Sequence, residues 1–119
     1  MHKSFAQIGE FLNQCNFKGS GRHFFHRVTG SHVILVQLDG SHDGKGFTVS
    51  YGIHPILPGV QEIHHRDYLF SKCKFKGQVL NSRKKPVWNY HLDNDALTTL
   101  TSRLFAGISS IETRLQHKN

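Results

Sequence analysis

Residues 32–53 read HVILVQLDGSHDGKGFTVSYGI. The first seven, His32 to Leu38, are almost wholly apolar, as expected of a central strand covered on both faces. The middle, DGSHDGKG, is glycine-rich and reads as a turn. The last seven alternate. Phe47, Val49, Tyr51 and Ile53 share one face, and Thr48, Ser50 and Gly52 the other. Two such strands with so short a connection pair antiparallel, since a parallel crossover needs a dozen residues or more.

The pattern extends both ways. Upstream, HFFHRV (residues 23–28) is a strand ending at the turn TGS. Before it, residues 4–16 form a helix, with Phe5, Ile8, Leu12 and Cys15 on one face. Ser4 followed by Gln7 is a capping-box pattern. Downstream, KCKFKGQVL (residues 72–80) reads as a fourth strand, with Cys73, Phe75 and Val79 on the inner face and Lys72, Lys74 and Lys76 on the outer. VWNYHL (residues 87–92) reads as an extended or turn segment. The closing helix is the clearest element. Leu97, Leu100, Leu104, Ile108, Ile111 and Leu115 step by three or four, and Asp93 is its expected N-cap. Gly107 inside it costs about 1 kcal/mol relative to Ala. The expected fold is a single α+β domain over residues 1–119. It is a four-stranded antiparallel sheet flanked by an N-terminal and a C-terminal helix, in the order α-β-β-β-β-α.

A chain of 119 residues is one domain in size and hides roughly two-thirds of its unfolded surface without disulfides or metal. Two cysteines, Cys15 and Cys73, fit free thiols in a reducing compartment. No apolar run approaches a membrane span, and residues 1–10 lack a signal-peptide pattern. A cytoplasmic protein with no membrane partner is expected.

The formal charge of +7 is concentrated. Residues 1–71 carry six Lys/Arg against five Asp/Glu, and residues 86–119 carry three of each. Residues 72–85 carry six Lys/Arg and no acid: Lys72, Lys74, Lys76, Arg83, Lys84 and Lys85. A lysine row about 7 Å apart along a strand, extended by the loop NSRKKP, suits phosphates or an acidic protein. Lysines on an edge strand also guard against sheet aggregation, which is the plainer reading of the row alone. Trp88 is expected to add aromatic contact beside the patch.

The long irregular stretch, residues 54–71 (HPILPGVQEIHHRDYLFS), is the other place to look for chemistry. Loops of this length are often functional. A short helix around residues 60–68 would put His64 and Asp67 on one face. His54, His64 and Asp67, with His65 and Cys73, are zinc-ligand types, but three or four must converge. Adjacent histidines diverge, and ten histidines cluster by chance. No His-Glu-x-x-His, paired Cys-x-x-Cys, Gly-x-Ser-x-Gly or phosphate-loop motif is present, so neither a catalytic residue nor a cofactor is assigned. KGFTVSY begins like the ribonucleoprotein octet of RNA-recognition motifs. Val49 then replaces its stacking aromatic, and no helix follows the first strand.

FKGSGRHFFHR, VILVQL and GKGFTVSYGI together resemble family 4304 of the bacterial domains of unknown function. The matching positions are Phe17, Lys18, Gly21, Phe24, Phe25, Arg27, Gln37, Gly46, Phe47, Thr48, Gly52 and Ile53. Asn16 stands where the family has glycine, and Trp88 stands alone where the family has a pair. The resemblance implies an α+β fold and a bacterial or phage source, and no catalytic residues. The expected function is a non-enzymatic module binding an acidic partner, protein or nucleic acid. An immunity or antitoxin-like role is one form of it, by analogy. The alternative is a metal- or histidine-dependent enzyme centred on residues 54–71.

Overall fold

The structure is a computed structural model and describes residues 3–19, 23–41, 43–59 and 62–117. Gly21, one of the family-like positions, lies outside them. Helix α1 spans Lys3–Gln14 and α2 spans Asn94–His117. The strands are β1 (Lys18–Gly19), β2 (Phe24–Thr29), β3 (His32–Gly40), β4 (Gly46–Pro55), β5 (Lys74–Gln78) and β6 (Val87–Asn89). All pairings are antiparallel, in the order β1-β2-β3-β4-β5, with β6 also on β4. The four expected strands are present, and two short ones, β1 and β6, are added.

Both ends of the main hairpin follow from sequence. β3 and β4 pair from His32↔Pro55 to Gly40↔Phe47. Alternation along β3 then sorts the core into two. Ile34, Val36 and Leu38 join Phe47, Val49 and Ile53 of β4 beneath the helices. Val33 and Leu35 join Phe24 and Tyr68 on the opposite face. Both faces are covered, which is why a continuous apolar run is stable there.

The helix side is filled by Phe5, Ile8 and Leu12 of α1 and by Leu100, Leu104, Ile108 and Ile111 of α2. Asp93 caps α2, accepting from the Ala96 N–H at 2.7 Å. Ser4 does not act as the expected cap. It lies inside α1, is buried, and donates its hydroxyl to the Tyr90 carbonyl at 2.5 Å. α1 ends in a Schellman turn: Phe17 N–H reaches the Leu12 carbonyl at 2.9 Å, and Asn16 N–H the Asn13 carbonyl at 3.1 Å. Asn16 has φ 69°. That left-handed position favours glycine and tolerates asparagine next best. Arg27 ties three elements together. It donates to the Cys15 carbonyl at 2.9 Å and to Glu112 at 2.8 Å, with its guanidinium 4.8 Å from the Phe17 ring centroid.

Residues 54–71 cover part of the opposite sheet face. Leu57, Ile63 and Phe70 pack against Phe24, Val33, Leu35 and Tyr68. The Tyr68 hydroxyl accepts from the Leu57 N–H at 3.0 Å, closing the loop on itself. The expected helix around residues 60–68 does not form over the described residues 62–68, where a turn occupies residues 65–67. Helix is confined to one 3-10 turn, Phe70–Lys72. Among the described residues, no helix is long and apolar enough to cross a membrane.

Candidate functional site

β5 and β6 occupy the same edge of β4, end to end. β5 pairs Ile53↔Lys74, Tyr51↔Gly77 and Ser50↔Gln78, and β6 pairs Thr48↔Val87, Phe47↔Trp88 and Gly46↔Asn89. Val79 N–H bonds the Val49 carbonyl, so the ladder nearly continues from one strand to the next. Residues 80–86 leave this line as a tight excursion. Asn81 holds it: its Oδ1 accepts from the Arg83 and Lys85 N–H groups, and its Nδ2 donates to the Val87 carbonyl. Lys84 sits at φ 62° in the turn. The basic stretch is therefore one exposed edge with an ordered knob.

The single-face lysine row does not form. A bulge opposite residues 51–53 adds a residue to β5, and Phe75 takes φ 49°. Lys72 ends the 3-10 turn, before the strand begins. Lys74 pairs with Ile53 of the helix-side core, and Phe75 packs against that same core. Cys73 belongs to the opposite cluster. A Cβ on Gly52 would meet the Cβ atoms of Cys73 at 2.9 Å and Lys76 at 3.1 Å, which puts these two together on that face. Cys73 and Phe75 thus point to opposite sides, contrary to plain alternation. The lysines flank the edge from both faces.

All six cations of residues 72–85 are exposed. None takes part in an ion pair among the described residues, where the Arg27–Glu112 pair is found. Two arginines of α2 join them from the helix side. Arg103 donates to the Leu80 carbonyl at 2.7 Å, and Arg114 lies 5.6 Å from the Phe75 ring centroid. Acids temper one end, since Arg83 shares shallow clefts with Asp43 and with Asp93.

Trp88 is not part of this surface. It is 5% exposed, packs in the helix-side core, and donates Nε1–H to the Val79 carbonyl at 2.9 Å. The metal-ligand candidates do not converge as a set of three, although the His64 and His65 rings lie 4.2 Å apart, against the divergence expected of adjacent histidines. His54 is 3% exposed, with Nδ1 at 2.6 Å from the Pro55 carbonyl and its ring on Tyr68. His64 Nδ1 accepts from Arg66 Nε and from the Arg66 N–H. Asp67 donates its N–H to the His64 carbonyl. No group of three or more His, Cys, Asp or Glu is placed to hold a metal ion among the described residues.

Burial pushes the Cys73 thiol up to about 11, against a smaller downward pull from Lys76. A thiol so protonated is a poor nucleophile near neutrality. In a Cys15→Ser variant, iodoacetamide alkylation of Cys73 should keep accelerating between about pH 8 and 10. Levelling near the ordinary thiol pKa, followed by mass spectrometry, would contradict this environment.

A second feature was not anticipated from sequence. A cleft of about 600 Å³ opens on the sheet face opposite the helices, beside the loop. Its walls include His23, Phe24, Gln37, Asp39, His65 and Phe70. Gln37 and Asp39 alternate with core Leu38 on β3, so both project to this face. That period-two signal was present in VQLD. The aromatic wall comes from the loop, whose course sequence does not specify. No family model, curated protein or solved structure matches the chain.

Proposed function

We propose that the protein is a binding module whose basic edge, β5 with the excursion to β6, engages an acidic macromolecule. One observation carries this reading. The collinear placement of β5 and β6 gathers six exposed cations, without acidic partners among the described residues, on one sheet edge. Edge lysines also deter sheet-to-sheet pairing. Here the bulge at Phe75 and the excursion already interrupt the edge, so extra cations are not needed for that purpose. The backbone that carries the cations is ordered, in β5 and in the Asn81-held turn, so it loses little further conformational entropy when the partner docks.

Replacing Lys74, Lys76 and Lys84 together by Glu is expected to abolish retention on heparin. The melting temperature should stay near wild type, because all three side chains are exposed. For a nucleic-acid partner, the slope of log affinity against log salt should shrink by about two to three. Unchanged heparin retention in a folded triple variant would refute the basic edge as the binding surface.

A further inference from the structure

The cleft and the basic edge meet at Phe70. Its ring lies at 6.4 Å and nearly perpendicular to Phe24, inside the cleft wall. Its carbonyl accepts from Lys76 Nζ at 3.4 Å. Phe70 also borders a shallow depression with Ser50, Lys76 and Gln78 on the same face. Lys72 closes the 3-10 turn that Phe70 opens. An aromatic, largely uncharged recess thus sits beside two lysines.

The recess has its own polarity. Asp39 is the one carboxylate among its described lining residues, and no lysine or arginine lines it. An anionic group is disfavoured inside it and favoured at its rim. A planar ring with hydrogen-bond donors suits the interior, because rings stack on aromatic side chains and a carboxylate accepts from an exocyclic amine. The volume lies within the usual range for small-molecule sites.

From this juxtaposition we infer that the cleft takes one nucleotide: the base against the Phe70 ring, which the buried Phe24 backs edge-on, with its amine on Asp39, and the phosphate at Lys76 and Lys72. The inference rests on the basic-edge reading and narrows its partner to a nucleic acid strand or a free nucleotide. Unpaired bases are required, since a duplex keeps its rings stacked and out of reach. Cytosine, which carries the exocyclic amine, is favoured over uracil, which has a carbonyl in its place.

Fluorescence anisotropy with labelled oligo(C) and oligo(U) RNA of eight residues tests this, with heparin retention as the reference for the edge. Oligo(C) should bind roughly fivefold or more tightly than oligo(U). Asp39→Ala, which removes the acceptor, should bring the two oligomers to similar affinities without lowering the melting temperature, because the side chain is exposed. Phe70→Leu, which keeps apolar bulk but no ring, should weaken both oligomers. Displacement by cytidine monophosphate would identify a free nucleotide as the source, and binding of oligomers alone a strand. Equal affinity of the wild-type protein for the two oligomers, or indifference to Asp39→Ala and Phe70→Leu, overturns the inference. Failure of both oligomers with heparin retention intact also overturns it, leaving the edge for an acidic protein. Loss of heparin retention as well would overturn both readings.

Discussion

Trp88→Ala is expected to destabilise the fold by about 3–5 kcal/mol, the range for removing a buried large aromatic. Two losses add. The indole fills the helix-side core opposite Phe47 across the β4–β6 pair, so its removal opens a cavity in that core. Its N–H also serves the Val79 carbonyl, which loses that partner. Against a total of about 5–15 kcal/mol for a domain of this size, the loss is a large fraction of the whole. The melting temperature, followed by circular dichroism because Trp88 is the sole Trp, should fall by roughly 10 °C or more. Trp88→Phe separates the two losses. It keeps most of the apolar volume and gives up the hydrogen bond, so a smaller cost of about 1–3 kcal/mol is expected. If Trp88→Ala instead left stability unchanged and weakened polyanion binding, the indole would belong to the binding surface after all.

The Trp88 result bears on how the basic edge is built. β6 is three residues long and pairs only with β4. Its anchor is the indole, which bonds back to Val79 at the end of the β5 ladder. The indole therefore clips the two ends of the excursion together, while Asn81 fastens the turn between them. Charge and anchorage are divided: the cations point outward and one buried ring holds their loop in place.

What was readable from the residues was whatever has a fixed period. The α2 stripe from Leu97 to Leu115, the Asp93 cap and the two-sided burial of β3 all follow from side-chain spacing alone. The failures share a different cause. Alternation through CKFKGQV assumes an unbroken strand, and the extra residue at Phe75 shifts its phase. That bulge coincides with Arg114 over the Phe75 ring and with Cys73 packed against Gly52, contacts far apart in sequence. β6 was legible only as an extended or turn segment, because three residues are too few to show a period. The cleft combines a β3 pattern that was legible, Gln37 and Asp39, with a loop wall that was not. Charge clustering in residues 72–85 survived as an edge, though not as a one-sided row.

Gly107 shows the same limit in energetic form and supports the second large effect. Helix propensity alone expects Gly107→Ala to stabilise α2 by about 1 kcal/mol. The fold reverses the sign. A Cβ at Gly107 would lie 2.6 Å from Cζ and 2.7 Å from the hydroxyl of Tyr51. The same hydroxyl also lies close over Gly77 of β5, where an added Cβ would meet it at 2.9 Å, so the ring already rests against that glycine. Tyr51 is thus laid across two glycines, one on the neighbouring strand and one on the helix above. Overpacking of this kind costs about 1–3 kcal/mol, because the Tyr51 ring or the helix must shift. With the propensity gain of about 1 kcal/mol subtracted, Gly107→Ala should lower stability by up to about 2 kcal/mol in urea unfolding. Combining it with Tyr51→Leu removes the obstructing ring end, so the double variant should be more stable than the sum of the single changes predicts. Strict additivity would mean the ring and the helix glycine do not meet, and a stabilised Gly107→Ala would mean propensity alone governs that turn of α2.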